Sequence, residues 1–210
     1  MDGRAFRAMK FGFLALLAIG VGAYAWMVYG NPSKVGEQSF VIEKGALPDL
    51  WSKALWAHAV SAGFAIAIGW LQFLGRLRRR APALHRIIGY AYSLGIAIAG
   101  VSALYLAVYA DGGPSGKLGF GMLALLWLFT LVQGLRSIIV YRDSKRHGRW
   151  MIRNYALTCA AISLRLYTLL SAALFGLSDT NDTFVVISWL CWLPNLLLAE
   201  AWVRRRSHVF

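Results

Sequence analysis

Apolar residues run along the chain in six long stretches, at about 11–29, 51–74, 87–110, 118–141, 155–176 and 184–203, with short polar segments between them. About 20 mostly apolar residues, at 1.5 Å each along a helix, cross a hydrocarbon core about 30 Å thick. Within that core every backbone N–H and C=O must be paired inside its own segment, which a helix achieves and a lone strand does not. The pattern predicts an all-α, polytopic transmembrane helical bundle of about six spanning helices, in a single transmembrane domain over residues 1–210.

The polar connections alternate in sign. Segments 30–50, 111–117 and 177–183 hold acidic residues among Gly, Pro, Asn and Ser. Segments 75–80 and 142–147 are basic, with Arg76, Arg78, Arg79 and Arg80 in the first and Arg142, Lys145, Arg146 and His147 in the second. Arg4, Arg7 and Lys10 precede the first stretch, and Arg204, Arg205 and Arg206 follow the last. Lys34, Lys44, Lys53 and Lys117 fall on the opposite side. Short loops rich in Lys and Arg stay in the cytoplasm, so both termini are expected on the cytoplasmic side of a bacterial inner membrane. Ala23-Tyr24-Ala25 resembles a signal-peptidase site, but the apolar run continues through Tyr29, and we read the first stretch as an uncleaved anchor.

Composition agrees. Hydrophobic residues make up 59% of the chain, against 45–50% in soluble domains, so lipid is the expected solvent. A net charge of +13 invites a nucleic-acid reading, but the charge sits in knots between apolar runs and no readout motif accompanies it. The bilayer is the expected partner, with a membrane complex or homo-oligomer as further possibilities, and nucleic acid is not expected. Cys159 and Cys191 lie inside apolar runs without CxxC spacing and read as small buried thiols.

Small residues recur every fourth position on the third stretch (Ala91, Gly95, Ala99, Ala103, Ala107) and on the second (Ala59, Gly63, Ala67). Such stripes let membrane helices approach closely, which marks the third helix as the expected bundle centre. Pro194 is the only proline well within a span, and no Pro/Gly-broken pair of helices occurs in corresponding halves, which weighs against a transporter.

Polar groups inside hydrocarbon need a partner or a purpose. Arg165 lies near the middle of the fifth stretch, with Thr158, Ala161, Thr168 and Ala172 predicted on its face. No acidic residue shares its depth. It is left with helix carbonyls, Gln133, Asn195, tyrosine hydroxyls, water, or an anionic or carbonyl-bearing ligand. Glu200 better suits Arg149 or Arg153. His58, with Ser61 on its face, lies at compatible depth. An intramembrane cavity lined by His58, Ser61, Thr158, Arg165 and Thr168 could hold a quinone head group; a structural Arg and a hydrogen-bonded imidazole are the plain alternatives.

A second constellation lies at the basic ends. His85 and His147 each open an outward-running helix, so they are expected at similar depth. Two neutral imidazoles facing each other can ligate haem b axially, and Arg86, Arg149 and Arg153 are candidate propionate partners. The ordinary interfacial role of His, Arg and Trp is the alternative. His58 lacks a histidine partner for a second haem, and His208 is in the tail. No HExxH, Walker loop, GxSxG or paired-carboxylate arrangement occurs, so hydrolysis and phosphoryl transfer have no residues to carry them.

Three segments together carry a family resemblance: Trp56-Ala57-His58 with Gly63; His85-Arg86-x-x-Gly89; and His147-x-x-Trp150-Met151-Ile152-Arg153-x-Tyr155-Ala156-Leu157 leading to Leu164-Arg165-Leu166-Tyr167. Over about residues 50–200 the chain resembles a bacterial membrane family catalogued as domain of unknown function 2306. The resemblance implies a multi-spanning membrane protein and no particular reaction. It marks His58, His85, His147, Arg153 and Arg165 as motif positions. Three functions remain open: a small membrane redox component binding haem b or quinone, a transporter or lipid-binding permease, and a non-catalytic assembly scaffold.

Overall fold

The computed structural model describes residues 3–207, which leaves His208 outside the described residues. Ten α-helices follow in order: α1 (Gly3–Tyr29), α2 (Ser39–Glu43), α3 (Asp49–Gly69), α4 (Gly75–Arg80), α5 (Pro82–Ala107), α6 (Gly113–Ile139), α7 (Ser144–Thr158), α8 (Ala160–Phe175), α9 (Thr180–Leu190) and α10 (Leu193–Ser207). They form six segments long and apolar enough to cross a membrane: Met9–Tyr29, Asp49–Phe73, Pro82–Ala107, Gly113–Ile139, Ser144–Phe175 and Thr180–Arg205. No strand occurs among the described residues.

Helices three to six begin earlier than the apolar pattern predicts, because a charged or polar first turn is helical without being greasy. Pro82 opens α5 at a position where its missing N–H costs nothing. The turn into α6 needs Gly112, whose φ is +83° and whose Cβ would stand 2.6 Å from the Phe184 carbonyl carbon. The basic segment 75–80 is itself helical, as α4.

Asp143 starts α7 by accepting the Arg146 N–H at 2.9 Å. That N–H chiefly, helped by the Lys145 N–H and the charges of Arg149 and Arg146, holds the Asp143 carboxyl below its ordinary value. A depressed carboxylate stabilises the fold above its unfolded pKa and loses that contribution as pH falls through the folded one. The cap is therefore expected intact at neutral and mildly acidic pH, weakening only below about pH 4. Following the Arg146 amide shift by NMR against pH should give a midpoint below about 4; a midpoint above it would contradict the capping geometry.

The fifth and sixth spans are each interrupted part-way across. The fifth breaks at Cys159, between α7 and α8, and the sixth at Cys191 and Trp192, between α9 and α10. Pro194 explains the second break, because it lacks an N–H and its ring crowds the carbonyl four residues back. At the first, the Thr158 hydroxyl bonds the Asn154 carbonyl at 3.0 Å, a back-bond that bends helices. Ser163 and Asn195 then join the two broken spans side chain to side chain, at 3.1 Å.

The helices form a ring. α3 lies against α1 and α5, α6 against α5, α7 and α9, and α8 meets α9 and, lightly, α1. Gly95 of the α5 stripe brings α5 onto α3: its Cβ would lie 3.2 Å from the Ser61 carbonyl oxygen and 3.3 Å from the Ala65 Cβ. Gly63 of the α3 stripe instead faces α1, where its Cβ would meet the Ala25 Cβ at 2.7 Å. The centre is shared, so the expectation for α5 needs correction. A smooth stripe draws one neighbour close, and the core itself is filled from α3, α5, α6, α7 and the α9–α10 joint by Ala65, Tyr92, Ile96, Trp127, Tyr155 and Trp192.

Away from the basic loops, Lys44 ion-pairs with Asp111 and donates to the Tyr109 carbonyl at 3.0 Å, while Thr180 donates to Asp111 at 2.7 Å. These contacts fasten the 30–50 segment and the α9 start to the α5–α6 turn, around a half-open cavity of about 760 Å³.

Candidate functional site

Between α5, α6 and α7 lies a closed polar network. Tyr92 donates to Asn154 Oδ1 at 2.7 Å and its hydroxyl lies 2.9 Å from Thr158 Oγ1. Trp127 Nε1 donates to Thr158 Oγ1 at 2.9 Å. Asn154 Nδ2 donates to the Trp127 carbonyl at 2.8 Å and to Thr130 Oγ1 at 2.9 Å. Asn154 is 0% and Tyr92 1% exposed, so each donor and acceptor would be costly to leave unmade. Tyr155 adds a bond to the Ile66 carbonyl of α3 at 3.3 Å.

This network aims the two predicted histidines. His85 precedes Tyr92 by seven residues, and His147 precedes Asn154 by seven. Seven residues is nearly two whole turns, so each histidine lies under its network residue on the same helix face. Because Tyr92 and Asn154 touch, that spacing places His85 and His147 on the matching faces of α5 and α7, about 10 Å nearer the basic loops. They are within electrostatic reach of each other.

His147 Nδ1 lies 2.8 Å from the Gly134 carbonyl. A carbonyl only accepts, so Nδ1 carries the proton, and in the neutral ring Nε2 keeps a free lone pair. His85 Nδ1 is buried without a hydrogen-bond partner. Two of the predicted flanking arginines remain candidates: Arg86 is exposed and Arg149 half-buried. Arg153 is otherwise engaged. It lies 2.7 Å from Glu200 through Nη2 and donates through Nε at 2.8 Å, fastening α7 to α10, the Glu200 pairing anticipated from the sequence. Its guanidinium also covers the Trp150 ring at 4.9 Å.

The other predicted cluster is only partly assembled. His58 donates from Nδ1 to the Ala99 carbonyl at 2.9 Å and meets the Trp127 ring edge-on at 6.5 Å. Arg165 donates to the Ala161 carbonyl at 2.9 Å and covers the Tyr24 ring at 5.2 Å. Thr158 does not join them, because the interruption at Cys159 ends the regular helical spacing that put it on the Arg165 face. Ser61 turns its hydroxyl to the Ala57 carbonyl and Thr168 to the Arg165 carbonyl at 3.0 Å, each within its own helix. Tyr24 is the neighbour that helical spacing alone missed.

The family model described as predicted membrane protein, domain of unknown function 2306 (DUF2306), matches residues 55–203, from the second span to the end of the sixth. The chain belongs to the DUF2306 family. No curated protein and no solved structure matches it. The DUF2306 match contains the whole Tyr92–Trp127–Asn154–Thr158 network together with His58, His85, His147, Arg153 and Arg165. α1, which supplies Tyr24, lies outside it. Sequence reasoning missed the network that holds the DUF2306 histidines. Its trace was Asn154 and Thr158 one turn apart on α7, opposite Trp127 and Thr130 one turn apart on α6.

Proposed function

We propose that this protein is a small membrane redox component that holds haem b between His85 and His147, near the cytoplasmic face of a bacterial inner membrane. Three observations support the reading: His147 bonds the Gly134 carbonyl through Nδ1, which leaves its Nε2 lone pair for a metal; the buried Nδ1 of His85 has no partner; and the two rings lie within electrostatic reach. A ring nitrogen held by a backbone carbonyl, with the other left to a metal, is the usual arrangement of a histidine ligand. Glycines border both histidines, so no side chain at those two positions would obstruct a flat group. A Cβ on Gly148 would meet nothing within 4 Å, and one on Gly89 would touch only the Gln72 side chain, at an ordinary 3.5 Å.

Haem iron supplies one-electron chemistry when bound. The chain's own part is to fix the imidazoles through Gly134 and the Tyr92–Asn154 contact, and to offer Arg86 and Arg149 to the propionates. The alternation of charge supports the cytoplasmic assignment of this end.

The test is a spectrum. Protein purified from haem-sufficient cells is expected to give oxidised and reduced bands of a bis-histidine b-type haem and a pyridine haemochromogen signal. His85→Ala and His147→Ala should each lose them, with His58→Ala retaining them. A colourless wild-type protein, or retention of the bands in both variants, would overturn the assignment.

A further inference from the structure

We propose that the lipid-facing side of the α1–α8 contact binds a single-chain amphiphile with a carboxylate head group, drawn from the surrounding lipid, with Arg165 as its counter-ion and Tyr24 beside it. This inference is independent of the haem reading.

Arg165 is a cation without a carboxylate. The ion pairs among the described residues are Lys44–Asp111, Arg153–Glu200 and Arg204–Glu200, and none includes it. The chain has nine acidic residues. They lie outside the spans or near their ends, and Glu200, the deepest in sequence, is held by Arg153 and Arg204. Of the five N–H donors of a guanidinium, the Ala161 carbonyl takes one and the Tyr24 ring covers the face. His58 and Tyr29 lie close enough to sense its charge.

The α1–α8 contact is reachable from the side. Ala160 is the buried residue of α8, and Leu166, Leu169, Leu170 and Leu174 are exposed along it. α1 packs along α3 and touches α8 only lightly, and Tyr24 is 47% exposed. A ligand dissolved in lipid can therefore approach without crossing the bundle.

Depth selects the head group. Arg165 precedes the α8 end at Phe175 by ten residues, about 15 Å, and Tyr24, which it covers, precedes the α1 end at Tyr29 by five, about 7.5 Å, so the guanidinium lies below the interface by either measure. A phospholipid keeps its phosphate at the interface, whereas a single-chain acid can slide its carboxylate below it. A carboxylate also accepts from the planar guanidinium fork in bidentate fashion.

The experiment uses the full chain in nanodiscs of neutral phosphatidylcholine, with thermal unfolding as readout. Added oleate is expected to raise the midpoint saturably by several degrees, and methyl oleate, its neutral ester, to leave it unchanged. Arg165→Gln should abolish the oleate shift. Equal shifts with both probes, no shift at all, or an oleate shift that survives Arg165→Gln would overturn the proposal. So would an Arg165-dependent shift seen only with phosphatidylglycerol, or only with a neutral quinone analogue. Should Arg165→Gln fail to fold, the comparison of oleate with its ester in the wild type still decides.

Discussion

Replacing Gly63 with leucine is expected to push α1 off α3 and lower the unfolding midpoint in detergent by about 5–10 °C, from a loss on the order of 2–3 kcal/mol. Even the first added carbon has no room. It would stand 2.7 Å from the Ala25 Cβ, 3.3 Å from the Gly22 carbonyl oxygen and 3.5 Å from a Trp26 ring carbon. Two of these obstacles are bound closely to backbone and cannot rotate aside, so a whole helix must move. Lipid tails are as apolar as the helices, which makes close approach and dispersion the main attraction between α1 and α3. Gly22→Leu, which meets the Gly63 carbonyl oxygen at 2.6 Å from the other side, is expected to match it. Gly20→Leu is the control, because nothing lies within 4 Å of its Cβ position. If Gly20→Leu and Gly63→Leu unfold at the same temperature, the α1–α3 crossing is not where the stability resides.

Asn154→Leu is the second large effect, expected to destabilise by about 2 kcal/mol. Its side chain makes three hydrogen bonds, to Tyr92, the Trp127 carbonyl and Thr130. Interhelical hydrogen bonds in membranes average about 0.6 kcal/mol each, with a maximum near 1.7. Buried groups left unpaired add to that loss. Tyr92→Phe removes one of the same bonds and is expected to cost about 1 kcal/mol. The double variant should fall short of the sum by at least about 0.5 kcal/mol, since both substitutions delete the same contact. Strict additivity in that cycle would mean that the Tyr92–Asn154 bond contributes nothing. Under the proposed haem reading, both variants should also weaken haem retention, because the network joins the helices that carry His85 and His147.

The six spans were legible because length and hydropathy are properties of a segment by itself. Their starts were less so. Pro82 to Arg86 and Ser144 to Arg153 are helical through caps and backbone geometry that an apolar count ignores. The joint near Pro194 left one visible sign. The joint at Cys159 left none, since it depends on a threonine hydroxyl choosing a carbonyl of its own helix. The pairing of Arg153 with Glu200 was readable from depth and charge. The environment of Arg165 was not, because Tyr24 comes from a helix more than a hundred residues away, and the helical spacing that recruited Thr158 stops at the break. Asn154 stood inside the motif without drawing notice. Its importance lies in its contacts with Tyr92 and Trp127, and each of those residues reads on its own as a lipid-anchoring aromatic.

The paired joints in the fifth and sixth spans have a mechanical consequence. A stiff rod that suits one bilayer must tilt as a whole when the hydrocarbon layer thickens or thins, carrying every side chain along its length with it. Here α7 is tied into the Tyr92–Trp127 network and α10 is tied to α7 through Arg153 and Glu200, whereas α8 beyond its joint is wrapped mostly in lipid. Adjustment to membranes of different thickness can therefore be absorbed by α8, whose outer end is lightly held, so that the α5–α7 contact need not change with it.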